Sequence, residues 1–245
     1  MRIKYWISVA VLSCSFLCSM DVSAKKVSVI ASLPKPPFII EENGKGLQLE
    51  LMREALKPYN IDVEFYHAPG GRNITAFQRL NADAILNVRP DYQYPALYLS
   101  KPYVNYQNVA ISLAENNFIL NSVEGLTNKV VVAFQNAKRY LDQDYNSAID
   151  YVIDYREIPD QKKQVEMLFL RRAEVIIIDI AIFNYYLKHF SNDLLVKPHK
   201  VHYLFEENTF SAAFKSEKLR DEFDKSIDMM RKNGRYQKII NQYIQ

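Results

Sequence analysis

The chain has 245 residues, of which 24% are charged, with a net charge of +3. That length buries a sufficient core without disulfide staples, and the charge is small and spread without a long block or polybasic tail, which argues against a nucleic-acid partner. Length alone allows one large domain or two smaller ones.

The first segment reads as an export signal. Arg2 and Lys4 form a short basic start, and Trp6 to Cys18 is a mostly apolar run. Spanning a bilayer needs about 20 apolar residues, so this run has the length of a signal-peptide core instead. Val22-Ser23-Ala24 places small residues at the −3 and −1 positions, so cleavage is expected after Ala24. Residues 1–24 carry both cysteines and the single tryptophan, so the processed chain is expected to hold no disulfide and no thiol chemistry. Neither Cys14 nor Cys18 follows a good lipobox.

Beyond the leader, apolar runs suited to buried strands recur at Val27–Ile30, Ala84–Leu86, Val130–Val132 and Val175–Ile178. Helical spacing lies between them. Leu47 to Lys57 gathers Leu51, Met52, Ala55 and Leu56 on one face before Pro58, and Glu157 to Arg172 gathers Val165, Leu168 and Phe169. Strand and helix in alternation predict an α/β fold with parallel sheets and right-handed crossovers. The segments Phe77–Leu86 and Leu168–Ile177 echo one another in character, each a helix end turning into an apolar strand through Ala-Asp or Ala-Glu. Ser216 is placed to cap a helix with Leu219, Phe223, Ile227 and Met230 on one face, Asn233-Gly234 ends it, and Ile239, Ile240, Tyr243 and Ile244 suggest another. His199 and His202 form the one close histidine pair, with no carboxylate or cysteine beside them to complete a metal site.

Several motifs, taken in order, resemble the family 3 periplasmic solute-binding proteins, the receptors that feed amino acids and related solutes to ABC importers. Ser32-Leu-Pro-Lys-Pro-Pro37-Phe38 resembles that family's first strand and loop. Gly46-Leu-Gln-Leu-Glu-Leu resembles its first helix, and Leu99-Ser-Lys-Pro-Tyr103 the segment before its first crossover. Arg172-Ala-Glu-Val-Ile-Ile-Ile-Asp179 resembles its second-lobe strand. The end of the chain, Tyr203 to Ile244, carries the strongest likeness. The resemblance implies a bilobed, periplasmic-binding-protein-like (type II) α/β fold with a two-stranded hinge. Lobe 1 is expected over 25–110 and 205–245, and lobe 2 over 111–204. It implies a monomer that captures a small polar solute, an amino acid or a relative, between the lobes. The partner is then an ABC permease or a membrane sensor, and neither cofactor nor catalysis is required.

The same resemblance nominates Phe38, Arg72, Arg89, Gln93, Asn136 and Asp179 as ligand-binding residues. Gln93 stands where the family's carboxylate-gripping arginine falls; an amide brings no positive charge and no bidentate fork, and Arg89 lies four residues earlier as a substitute. Pro36 and Gly70 stand at two positions where aromatics often cover the ligand, and Asn136-Ala137 where a Gly-Ser or Gly-Thr offers donors. Asp179 is expected to receive the ligand's amino group and to face Arg72, and Arg89 or Gln93, across one cleft. Tyr92, Tyr94, Tyr98, Tyr103 and Tyr106 cluster near the expected cleft edge. Two other functions fit these departures: an interaction or sensing module whose pocket has decayed, and a dehydratase-type enzyme on the same scaffold.

Overall fold

A computed structural model of the chain describes residues 24–40, 44–69, 71–91, 94–190 and 196–244. The expected signal peptide and its cleavage site lie almost wholly outside the described residues. Two mixed sheets organise the fold. The first takes β1 (Lys25–Ser32), β2 (Ile61–Ala68), β3 (Ala84–Val88), β4 (Tyr98–Leu99), β5 (Val104–Tyr106) and β11 (Asn208–Phe214). Its order is β2-β1-β3-β11-β4, with β5 also on β11. The second sheet has the order β10-β6-β9-β7-β8, from β6 (Asn108–Leu113), β7 (Val130–Phe134), β8 (Asp154–Ile158), β9 (Val175–Asp179) and β10 (His199–His202). In both, parallel pairs form the centre (β1 with β2 and β3; β7 with β8 and β9) and antiparallel strands extend one side.

The chain passes between the sheets twice. Gln107 alone separates β5 from β6, and residues 203–207 lead from β10 to β11. The result is a bilobed α/β molecule with a two-stranded hinge. β6 joins the second sheet at Asn108, opposite Asp179, so the first crossover falls slightly ahead of the expected division at 110.

The strands expected from apolar runs are all present, because Val29, Ile30, Ala84, Ile85, Val131, Val132, Ile176 and Ile177 are fully buried, and a strand covered on both faces needs a continuous apolar run. The helix expected from Glu157 is different. Glu157 and Ile158 belong to β8, and α5 spans Gln161–Phe169. Pro159 intervenes, and Asp160 caps the helix by accepting the Lys163 N–H at 3.1 Å. Within α5, Val165, Leu168 and Phe169 are buried. Gln164 is buried among them; its amide donates to the Val132 and Ile177 carbonyls at 2.9 and 2.8 Å, and so pins α5 to the second sheet.

At the C-terminal end, α7 (Glu217–Lys232) begins at Ser216, whose hydroxyl accepts the Leu219 N–H. It lies against α1 (Leu47–Leu56) and β11. Tyr103 meets Phe223 edge-on at a centroid distance of 5.3 Å, and Phe214 packs on the same ring at 5.2 Å. The last helix, α8 (Arg235–Tyr243), is tied to the first lobe by Tyr236 donating to the Tyr103 carbonyl at 2.7 Å and Tyr243 donating to Glu50 at 2.6 Å. No described helix is long and apolar enough to cross a membrane.

Phe223 is fully buried at the centre of this aromatic cluster, and truncating such a ring costs about 3–5 kcal/mol. Phe223→Ala is expected to lower unfolding free energy by that amount in urea titration followed by circular dichroism; a loss under about 1 kcal/mol would place α7 outside the core of the first lobe.

Candidate functional site

The cleft between the lobes encloses a cavity of about 190 Å³, well beyond the ~10–15 Å³ that admits one water by the same measure. Its floor is the hinge, where Tyr106, Asn108, Asn208 and Phe210 meet. Lobe 1 contributes Ser32 to Lys35, Asn73 and Asn87; lobe 2 contributes Phe134 to Asn136, Tyr140, Gln161 and Asp179.

Asp179 ends β9 and caps α6 (Ile180–Lys188). One carboxylate oxygen accepts the N–H groups of Ala181 and Ile182 at 2.9 and 3.1 Å; the other accepts the N–H of Gln107 at 2.8 Å. Three donors favour the charged form, yet burial outweighs them and pushes the carboxyl up to about 7, with Lys35 opposing the rise.

Lys35 enters the cleft from a tight turn after β1. Its N–H donates to the Ile39 carbonyl at 3.0 Å, and its own carbonyl accepts the Phe38 N–H at 3.0 Å. The start of α1 clamps this turn, with Leu47 and Gln48 N–H groups donating to the Pro37 and Phe38 carbonyls at 3.0 Å. The Lys35 ammonium lies 4.6 Å from the centre of the Tyr106 ring, a cation–π contact. Burial lowers its pKa to about 8, and the Asp179 charge resists that fall. Lys35 and Asp179 therefore form an opposite-charge pair with one member on each lobe.

Around the pair the lining is neutral and amide-rich: Asn73, Asn87, Asn108, Gln135, Asn136, Gln161 and Asn208. Three polar atoms of the cleft residues, Asn73 Oδ1, Gln161 Oε1 and the Tyr106 hydroxyl, are buried without a hydrogen-bond partner. A buried polar atom with no partner costs free energy, so these three reward a solute that brings hydrogen-bonding groups.

The residues nominated from the sequence separate into groups. Asp179 and Asn136 sit in the cleft wall. Phe38 is buried behind it, stacked on Tyr106 at 3.9 Å between centroids, so it supports the floor without lining the cavity. Arg72 is exposed just ahead of α2 (Asn73–Leu80), and its neighbour Asn73 is the one that lines the cleft. Arg89 is held elsewhere: its Nε donates to Asp91 at 2.9 Å and its Nη1 to the Arg139 carbonyl at 3.2 Å, which makes it a strap from lobe 1 to lobe 2. Gln93 and Gly70 lie outside the described residues. The cation that faces Asp179 is thus Lys35, in place of the expected Arg72 or Arg89. Of the tyrosines, Tyr106 lines the cleft, Tyr103 is core and Tyr98 is exposed; Tyr92 lies outside the described residues. His199 and His202 diverge, His199 toward the Phe183 ring and His202 to the Ser112 hydroxyl at 3.0 Å.

Two functional residues had weak sequence signals. Lys35 is a single cation between prolines, in a motif read for its missing aromatic. Gln107 is an unremarkable residue in a run of polar ones. Its side-chain amide donates to the Asn108 and Phe205 carbonyls, both at 2.9 Å, and so fastens the two hinge crossovers together.

Two α/β lobes around a polar, amide-lined cleft with a charge on each jaw define a solute-binding receptor. Residues 27–245 match the bacterial extracellular solute-binding proteins, family 3, and the chain belongs to that family. Among solved structures, it is similar to an ancestral arginine-binding protein bound to arginine, with TM-score 0.71 and 21% identity over 90% of this chain and 99% of that one. An ABC uptake transporter substrate-binding protein from Streptococcus pneumoniae with bound histidine gives TM-score 0.71 and 17% identity over 89% and 92%. A histidine kinase sensor domain with similarity to periplasmic binding proteins gives 0.69 and 16% over 90% and 96%. At these identities the likeness establishes the shared fold.

The perturbed carboxyl gives a direct test. The folded-state pKa of Asp179 lies above its ordinary value of 3.8, so the folded chain holds the extra proton between about 4 and 7. The stability this group contributes is full below about 4 and is lost as pH rises through about 7. Carbon-detected NMR of the solute-free protein is expected to show the Asp179 carboxyl titrating near neutrality; a midpoint near 4 would mean that the cleft is wet and the pair is not desolvated.

Proposed function

We propose that this receptor captures a small solute carrying both an amino and an anionic group, an amino acid or a close relative, between Lys35 and Asp179. The observation that carries the reading is the placement of opposite charges on the two lobes of one cleft, a half-buried Lys35 and a buried Asp179. Asp179 retains acceptor capacity beyond its three N–H bonds and receives the solute's ammonium. Lys35 receives its anionic end as a point charge, without the bidentate geometry of an arginine. The neutral amides and the Tyr106 hydroxyl complete the contacts and fix orientation. Such a solute gives Lys35 and Asp179 a counter-charge each. A solute lacking either charge leaves one buried ion unpaired, which is the basis of selection.

Binding at the hinge side of the cleft favours the closed arrangement of the lobes, here taken as 25–107 with 205–245 against 108–204, and a partner reads that closure. The partner is an ABC permease or a membrane sensor. The leader through Ala24 delivers the processed monomer to the periplasm, and no turnover of the solute is part of the reading. N-terminal sequencing of the secreted protein should begin within a residue or two of Lys25; recovery of the intact chain in membranes would overturn the export reading.

Ligand identity is approached with a thermal-shift screen of amino acids, amines, small organic acids and oligopeptides, because a solute at free concentration L that binds the folded state stabilises it by RT ln(1 + L/Kd) and so raises the melting temperature. For the hit, Lys35→Met and Asp179→Asn should each weaken binding by about tenfold or more in calorimetry, since removing one partner of a buried charged contact costs ~2–5 kcal/mol. Affinity should peak between about pH 7 and pH 8. Below that window Asp179 gains a proton and loses its charge; above it Lys35 loses its proton. A hit whose affinity ignores both variants and shows no such peak binds elsewhere, and the reading fails.

A further inference from the structure

The lobe 2 wall of the cleft is made by two stretches leaving the same end of the second sheet, Phe134 to Asn136 after β7 and Pro159 with Gln161 after β8. Glu157 joins them. It stands on β8 opposite Ala133, and its carboxylate is held by three donors. Oε2 accepts the Asn136 N–H at 2.7 Å; Oε1 accepts the Lys138 N–H at 3.0 Å and the Tyr155 hydroxyl at 2.8 Å. The two N–H groups converge because Asn136 adopts a left-handed conformation at φ 64, which turns successive backbone donors toward one point. Tyr155 remains a donor, because burial first and then Tyr145 push its phenol well above the usual range. Tyr145 in turn donates to the Tyr155 oxygen at 3.2 Å, which fixes the hydroxyl's direction.

A carboxylate set behind the cleft lining thus already takes the N–H of Asn136, a residue of the wall that a solute faces, and that of Lys138 beyond it. The rest of that wall offers neutral amides from Gln135, Asn136 and Gln161. Gln161 Oε1 is buried and unpartnered, an acceptor awaiting an N–H or O–H. Both observations disfavour an anionic group on the solute at this wall.

Resting on the Lys35–Asp179 reading of the cleft, we infer that Glu157 is a specificity-determining residue: its fixed carboxylate takes the lobe 2 donors and repels a second anion, so the cleft selects solutes with one anionic group and a neutral hydrogen-bonding remainder and rejects dicarboxylates. Lys35 is the single cation among the described cleft-lining residues, so a second carboxylate meets no counter-charge among them. Its desolvation is then uncompensated, and the like charge of Glu157 adds to the cost.

The test uses glutamine and glutamate, which differ by one amide against one carboxylate, with the processed parent and Glu157→Gln, Glu157→Ala and Lys35→Met variants in calorimetry. Circular dichroism checks folding. Glu157→Gln removes the charge while its amide oxygen still accepts one of the N–H bonds, so it covers the case in which Glu157→Ala does not fold. The expected result is a gain of about tenfold or more in glutamate affinity for the Glu157 variants, with glutamine changed far less. A folded Glu157→Gln that binds glutamate no better than the parent, or a parent that binds glutamate as tightly as glutamine, overturns the inference. Lys35→Met added to Glu157→Gln separates the two readings. If the double variant keeps the glutamate binding that Glu157→Gln gains, the Lys35–Asp179 reading falls while the role of Glu157 stands.

Discussion

The three N–H bonds to the Asp179 carboxylate are the constraint on which the cleft depends. Two come from the first turn of α6 and one from Gln107 in the hinge. A single side chain therefore joins the end of the second sheet, the start of a helix and the crossover between lobes. The Ile180 N–H reinforces the junction by donating to the Gln107 carbonyl at 2.9 Å. Backbone donors of this kind favour the charged carboxylate, against the larger effect of burial, and they fix its position through main-chain N–H groups rather than through a flexible side chain.

Gln107 transmits that position. Its backbone faces Asp179 and its side chain bridges to Phe205 in the second crossover, so any shift of the Asp179 carboxylate is felt by both hinge strands. On the other jaw, Lys35 is set by a turn clamped to α1, and Tyr106 beneath it is stacked on the buried Phe38. The two charges of the site are thus rooted in rigid elements of different lobes, and only the hinge lies between them. Two contacts also cross between the lobes: the exposed Arg89 bond to the Arg139 carbonyl, and, at the floor, the Tyr140 ring 6.4 Å from that of buried Phe210.

The fold was legible in the sequence because its signals are local and repeated. Apolar runs such as Val175–Ile178 name buried strands, Leu219, Phe223, Ile227 and Met230 mark one helix face, and the order of motifs gives the family. The helix expected from Glu157 failed at a boundary, where Pro159 and the Asp160 cap outweighed a periodicity that continues acceptably through the preceding strand. The site was less legible, because it depends on which side chain points inward after a turn. Asp179 was nominated by the family resemblance, as the acidic end of the second-lobe strand motif. Arg72 and Arg89 matched the expected charge, but Arg72 lies exposed ahead of α2 and Arg89 is occupied by Asp91 and the Arg139 carbonyl. Lys35 was invisible for the converse reason: nothing in Pro34-Lys35-Pro36 states that the turn aims the ammonium at Tyr106. Glu157 was hidden by the helix reading, since only as a strand residue opposite Ala133 does its side chain reach the Asn136 and Lys138 donors.

In the proposed function, the placement of charge lets a cleft without an arginine grip among its described lining residues select a doubly charged solute. Lys35 and Asp179 are each disfavoured by burial and each partly rescued by the other. Burial lowers the Lys35 pKa to about 8 and raises that of Asp179 to about 7, so each charge is weakened by its surroundings. On that reading a zwitterion supplies both counter-charges at once and restores each group toward its ordinary ionisation, whereas a neutral solute supplies neither. Glu157 stands apart because its carboxylate is already satisfied by backbone and phenol donors. The proposed division of labour follows: the two charges recognise the charged head, and the amides with Glu157 decide what is attached to it.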